Sequence, residues 1–251
     1  MLIAATVSPE SLNGVDFGDG ILVTGDRLVK YDSTGQVEFN AAAGLSLGTI
    51  IGPSGEFYDV ARQTGVLTIV KQDGLGNPLW TKNVPIAIGS NATPSVAQVF
   101  DESANMVLGF NFSGSVDFGN GAMNSVGTID LGLAKLDTNG NVIWTKRFGT
   151  PTFNLTSVYM DFTSTDDMAV IGFFQGTANL GNGDFTGSRL LAKFDETGTL
   201  VWRTTPPASW YALTGSPSGA IFIGATSTAT DFGWGTPLAG TGGLVVGKYG
   251  N

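Results

Sequence analysis

Residues 134–144 read AKLDTNGNVIW. An alternating apolar run through Leu131, Leu133 and Leu136 leads into Asp137-Thr138-Asn139-Gly140, and a second run, Val142-Ile143-Trp144, leads away. Gly140 can supply the positive φ that a tight turn requires, and the Asp137 carboxylate can accept hydrogen bonds from backbone N–H groups two residues on. The stretch is therefore predicted to be a β-hairpin with a three- to four-residue loop and glycine at its left-handed position. The chain repeats it: VKYDSTGQVEF at 29–39, VKQDGLGNPLW at 70–80, AKFDETGTLVW at 192–202, and a shortened VGKYGN at 246–251. Repetition on this scale marks an array of one small unit.

A second phrase lies upstream of the first. It reads VDFGDG at 15–20, VDFGNG at 116–121 and ANLGNG at 178–183, is altered to TDFGWG at 230–235, and is missing near 56–62, where a shorter loop is expected. Further upstream lie apolar runs at 106–112, 168–174 and 220–225, and before two of these, others at 96–100 and 157–162. One unit is thus strand, turn, strand, glycine-rich loop, strand, turn, strand. The phrase lysines, Lys30, Lys71, Lys135, Lys193 and Lys248, are spaced by 41, 64, 58 and 55 residues. Four antiparallel strands at such a period, with insertions confined to loops, are the mark of a β-propeller blade. Leu2–Thr6 matches Phe222–Thr226, so the chain starts at second-strand phase and ends at third-strand phase. The expected fold is all-β: one domain over residues 1–251, a five-bladed propeller with blades of four antiparallel strands, the first lacking its innermost strand and the last its outermost. A distorted or open ring, closed by a partner or a second copy, is the alternative, because unpaired edges attract other strands.

Composition narrows the function. The chain has 251 residues, with 42% hydrophobic and only 13% charged, and 37 glycines suited to many turns. Its formal net charge of −9 argues against a nucleic-acid partner, since phosphate binding needs clustered Lys and Arg. With no cysteine and no histidine, disulfides, Cys or His metal sites and any triad with a His base are excluded. No run of 18 apolar residues suggests a membrane span, and the start MLIAATVSPESLNG lacks the basic region of a signal peptide.

The combination of DFGxG, a strand ending AK(L/F)D and then xxGxxxW(T/R) resembles the β-propeller repeats of bacterial secreted and surface proteins, related modules of which occur in virus particles. The resemblance covers about four-fifths of the chain. It implies a propeller fold and a role in binding or adhesion. It implies no catalytic residues, and fold alone is a poor guide to function.

Several residues stand out chemically. The DFGxG turns gather Asp16 with Asp19, Asp117 with Asn120 and Asn179 with Asn182, which raises a calcium reading. They lack the dense carboxylates of a calcium loop, so turn capping is the simpler reading, and no metal or other cofactor is expected. Asp101-Glu102 and Asp166-Asp167 fall at hairpin tips and read as solvated. Trp210, Tyr211, Trp234 and Phe153 lie outside the repeat phrase; loop aromatics are usual platforms for sugar rings and partner proteins, and these are the expected ligand-binding residues. The expected function is non-enzymatic recognition on a cell surface, outside the cell or on a virion, with a glycan or protein receptor bound through loops on one face. A decoration or assembly protein of a phage particle, docked on neighbours or self-associated, is the second reading. A polysaccharide hydrolase is the third.

Overall fold

The computed structural model describes residues 2–7, 15–16, 22–23, 25–42, 46–63, 65–86, 95–163, 167–206, 210–216, 218–227 and 243–249. Among them there is no helix, and hence none long and apolar enough to cross a membrane. The chain divides into two compact units, Met1–Asn83 and Val84–Asn251.

The first unit holds a three-stranded sheet, Leu2–Val7, Gly25–Tyr31 and Val37–Ala42, and a four-stranded one, Ser46–Ile51, Phe57–Gln63, Val66–Gln72 and Pro78–Pro85. In the second sheet Gln63 pairs with Val66, the short link expected where the glycine-rich phrase is missing. The second unit holds a third sheet, Val96–Phe100, Met106–Phe112, Asp130–Leu136 and Val142–Phe148, and a fourth, Asn154–Phe162, Met168–Gln175, Arg189–Phe194 and Leu200–Thr204. A fifth sheet has three strands, Trp210–Gly215, Ile221–Ser227 and Gly243–Tyr249. All are antiparallel, with each strand paired to its neighbour in the chain apart from short hairpins inserted between second and third strands.

The phrase hairpin forms as its residues dictate. Asp137 accepts the N–H groups of Asn139 and Asn141 at 2.9 and 2.8 Å, and Gly140 has φ +81°. A β-bulge falls between the phrase lysine and the next residue in the first, third and fourth sheets. Burial lifts the Asp137 carboxyl, but hydrogen bonds from the Asn141 side chain and from the backbone outweigh it and hold the group below the usual carboxylate range.

Third, fourth and fifth sheets pack face to face. Successive side chains of a strand point to opposite faces. Along Met168–Gln175, Met168 and Val170 join a core with Val107 and Leu133 of the third sheet, while Ala169 and Ile171 join one with Ile221 and Ile223 of the fifth. A strand covered on both faces reads as an unbroken apolar run, which is why MAVIGFF shows no alternation. The first strands are tied sideways as well. Val158 N–H donates to Ser95 Oγ at 3.0 Å, and Gly215 N–H donates to Asp161 Oδ2 at 3.0 Å.

The phrase tryptophans are half-buried, and Trp144 and Trp202 meet the following sheet. Trp144 donates its indole N–H to the Glu196 carbonyl of the next repeat at 3.0 Å. Trp202 stacks on Tyr249 of the fifth sheet, ring centroids 6.4 Å apart. Trp80 meets the edge of Tyr58 at 6.0 Å.

Two expectations are corrected here. Phe153 is no exposed platform: it is fully buried, with its ring 5.3 Å from that of Phe174. A large apolar ring after Gly-Thr-Pro-Thr serves the core as readily as a ligand, and here the core takes it. Asp101 and Asp167 are not solvated tips. Asp101 is 5% exposed and meets Lys135 at 2.8 Å, and Asp167 meets Lys193 at 2.7 Å. In the second, third and fourth sheets the turn between first and second strands brings a carboxylate to the phrase lysine. Asp166 lies outside the described residues.

Candidate functional site

Two neighbouring hollows lie between the third and fourth sheets, and Phe148 and Gly181 line both. The larger, about 500 Å³, is lined by Arg147, Thr150, Pro151, Asn179 and Asp184 among others. The smaller, about 210 Å³, is lined by Lys146, Asn182 and Thr199 among others. Together they make a groove whose combined size suits a small ligand and whose walls mix apolar and polar groups, as binding clefts do.

One wall is the last strand of the third sheet, Val142–Phe148, and the link that follows it. Arg147 is fixed there by Asp130, whose Oδ2 accepts from the guanidinium at 2.8 Å. Asp130 is fully buried and accepts two further N–H groups, from Val126 and Gly127, each at 2.9 Å. A buried carboxylate is stable only when paired and hydrogen-bonded, and this one is. The surrounding backbone comes close: a Cβ at Gly149 would stand 2.2 Å from Asp130 Oδ1, so only glycine fits.

The other wall is the glycine-rich turn of the fourth repeat, carried by the short hairpin Thr177–Asn179 with Asp184–Thr186. Asn179 accepts the Gly181 N–H at 2.9 Å and donates its amide to Asp184 at 2.7 Å. Leu180 is buried and anchors the turn in the core. Asn182 accepts from Arg203 Nε at 2.9 Å, and the Arg203 guanidinium lies 4.0 Å over the Phe185 ring. The walls are latched together above and below. Thr150 Oγ1 donates to the Thr177 carbonyl at 2.6 Å, and Trp144 reaches Glu196 as described.

The third repeat's glycine-rich turn is built alike. Asp117 accepts the N–H groups of Gly119 and Gly121 at 2.7 and 3.2 Å, and Asn120 donates to Thr145 Oγ1 at 3.1 Å. These side chains therefore cap glycine turns and pin them to the last strand of their own sheet. Among the described residues no cluster of three or more metal-capable His, Cys, Asp or Glu side chains comes together.

Of the residues singled out in the sequence, Trp210 and Tyr211 open the strand Trp210–Gly215, where a bulge falls between Trp210 and Ala212. Trp234 lies outside the described residues. Phe153 is core. Arg147, Asp130, Asp184, Lys146 and Arg203 were not singled out. The available signal was departure from the repeat: Asp130 stands five residues before the phrase lysine, where the fourth repeat has Ser188, and Arg147 stands three after the tryptophan, where the fourth has Thr205.

No protein-family model matches the chain, and no curated protein matches it. Solved structures to which it is similar include a protein of unknown function from Bacteroides caccae, with TM-score 0.38 and 12% identity over 88% of this chain and 81% of that one. A member of the DUF4221 family from Bacteroides vulgatus has TM-score 0.33 and 8% identity over 90% of this chain and 91% of its own. A luciferin-regenerating enzyme has TM-score 0.29 and 11% identity over 89% and 84%.

Proposed function

We propose that the five sheets are the blades of a β-propeller, with first and fifth incomplete, and that it is a non-enzymatic recognition module displayed on a cell surface or a particle. Its ligand is a saccharide, bound in the groove between the third and fourth sheets. The single observation that carries this reading is the preorganised polar lining of that groove: Arg147, Asn179, Asp184 and Asn182 are each held by at least one hydrogen bond within the protein, Asn182 by Arg203. Fixed donors and acceptors beside an aromatic, here Phe148, match the alternation of hydroxyls and apolar ring faces on a sugar. The face-to-face packing of sheets and the side-by-side first strands support the propeller, as does the resemblance of the repeat phrase to propeller repeats.

The test is binding of the full chain to a broad glycan array, repeated with Asn182→Ala and Asp184→Asn. Selective binding that falls in both variants is the expected result. Absence of binding to any glycan overturns the reading, and binding that survives both variants but is lost in Trp210→Ala moves the site to the start of the strand Trp210–Gly215.

A second reading, docking in a particle, is favoured by one observation. The residue before each phrase tryptophan is apolar and exposed: Leu79 at 55%, Ile143 at 48% and Val201 at 54%. Sedimentation of the wild type beside Ile143→Lys/Val201→Lys tests it; a monomer at all concentrations and no affinity for particle proteins would remove it.

A further inference from the structure

We propose that Asn182, in the glycine-rich turn of the fourth repeat, is a site of self-modification: the backbone nitrogen of Gly183 attacks its side-chain amide, and the residue passes through a cyclic imide to aspartate or isoaspartate. The inference is independent of what the groove binds.

Asn-Gly occurs at 13–14, 120–121, 139–140 and 182–183. The first pair lies outside the described residues. Glycine favours the ring closure because it has no Cβ to oppose the approach of its nitrogen. The nitrogen must also shed its proton, so any hydrogen bond that its N–H donates has to be given up first. In this respect the three described pairs differ. Gly140 is buried, and its N–H donates to the Asp137 carbonyl at 3.0 Å. Gly121 N–H donates to the Asp117 carboxylate at 3.2 Å, alongside Gly119 N–H at 2.7 Å. The fourth repeat has Asn179 in place of Asp117 and Asp184 in place of Ala122. Asn179 uses its amide on Asp184 and its Oδ1 on Gly181. Gly183 N–H is left without an acceptor among the described residues. Asn182 and Gly183 are both exposed, so water reaches them.

The amide under attack is prepared as well. Arg203 Nε donates to Asn182 Oδ1 at 2.9 Å, and the Phe185 ring 4.0 Å away holds the guanidinium in place. As the Gly183 nitrogen adds to Cγ, negative charge gathers on that oxygen, and a fixed cationic donor stabilises it. Asn120 has the opposite arrangement: its amide nitrogen, the group that must leave, donates to Thr145 Oγ1 at 3.1 Å. In the reaction the Gly183 nitrogen gives up its proton and bonds to Cγ, the Cγ–Nδ2 bond breaks, and Nδ2 departs with its hydrogens and that proton as ammonia. Water then opens the ring at Cγ, giving aspartate, or at the Asn182 main-chain carbonyl carbon, giving isoaspartate. Water enters, ammonia leaves, and nothing is oxidised or reduced. The product adds a negative charge to the wall of the smaller hollow and makes the Arg203 hydrogen bond a charge-assisted one.

The experiment is peptide mapping by mass spectrometry of the full chain aged in mildly alkaline heavy-oxygen water, which labels each opened ring. Folded and denatured protein are aged side by side. In denaturant the three sequences should convert at similar rates. In the folded protein Asn182 should keep that rate, while Asn120 and Asn139 fall behind by about fivefold to tenfold, the worth of a hydrogen bond on the attacking nitrogen. Asn179→Asp/Asp184→Ala writes the third repeat's turn into the fourth and should slow Asn182 to the rate of Asn120, and Asp117→Asn should speed Asn120. Arg203→Gln should slow Asn182 by about tenfold to a hundredfold, through loss of a charged donor to the developing oxyanion. Thermal unfolding of each variant separates a changed turn from a changed fold. Folded Asn182 converting no faster than Asn120 and Asn139 overturns the inference. So does the same order of rates in denaturant, or a rate at Asn182 that neither the double variant nor Arg203→Gln lowers.

Discussion

Lys135 and Lys193 hold the same place in consecutive repeats, and each meets a carboxylate from the turn between first and second strands, at 2.8 and 2.7 Å. The carboxylates come from opposite ends of that turn. Asp101 is its first residue and Asp167 its last; in the second sheet Glu56, again the last, meets Lys71 at 3.2 Å. The turn has the same frame each time, its first N–H donating to the carbonyl four residues on. Either end of such a turn can deliver an oxygen to one lysine, so the pairing is kept while the acidic position drifts. The fifth sheet has the turn without the acid: residues 216–220 read SPSGA, and Lys248 is exposed. The two pairs of the second unit also differ in depth. The side chains of Lys135 and Asp101 are 8% and 2% exposed, those of Lys193 and Asp167 15% and 22%.

Depth should decide the largest effect. Removing one partner of a buried pair strands a charge, at about 3–5 kcal/mol, while a pair reached by water is worth about 1 kcal/mol or less. Lys135→Met should therefore cost several times more stability in chemical denaturation than Lys193→Met. Equal losses would mean that exposure is not what separates the two repeats.

The next largest effect comes from writing the fourth repeat into the third. Asp130→Ser places there the residue found at the matching position, Ser188. It leaves the Arg147 guanidinium and the N–H groups of Val126 and Gly127 without their carboxylate, at about 3 kcal/mol. It should also weaken glycan binding, since Arg147 loses its anchor. A variant of wild-type stability would show that Asp130 serves the groove alone.

That substitution also marks where legibility ends. The hairpins, the tally of first to fourth strands and the short link of the second sheet could all be read from local spacing, because turn glycines and strand alternation act over a few residues. The groove could not. Arg147 comes to lie opposite Gly132, near Asp130, only through the register of two strands joined by the phrase hairpin, and Asp184 joins it only when two sheets pack. Aromatic residues misled for a related reason: nothing local distinguishes Phe153 from a surface ring, and only packing against Phe174 assigns it to the core.

Acid titration sharpens the lysine comparison at a smaller scale. Burial raises the Asp101 carboxyl, but hydrogen bonds from Lys135 and Asn105 outweigh it, and the group is held below its ordinary 3.8. A carboxyl lowered on folding stabilises the native state above its unfolded value, and that contribution disappears as pH falls through the native value. Asp101→Asn should then be less stable than wild type at neutral pH by about 2 kcal/mol, the cost of a lost charged hydrogen bond. The gap should close as pH drops below 3.8. A gap that stays constant to low pH would mean that the mutation acts through packing and not through charge.

The smallest effect distinguishes the two tryptophans of the same phrase. Trp144 and Trp202 stand opposite Lys135 and Lys193 in equivalent register, yet they meet the following sheet differently. Trp144 and Lys135 both donate to the Glu196 carbonyl, at 3.0 and 3.5 Å, so two side chains of one repeat hold a turn of the next through a single oxygen. Trp202 lies against the face of Tyr249 with an interplanar angle of 27°, a contact that any aromatic ring can make. Phenylalanine at either position gives up similar ring area, but at position 144 it also removes the indole hydrogen bond to Glu196, worth about 1 kcal/mol. Trp144→Phe should therefore exceed Trp202→Phe by about that amount, and because Glu196 belongs to the turn whose Thr199 lines the smaller hollow, it should also loosen the groove. Hydrogen exchange at residues 195–199 measures that loosening. Faster exchange in Trp144→Phe but not in Trp202→Phe would show that the repeat phrase also sets the rigidity of the groove between the third and fourth sheets.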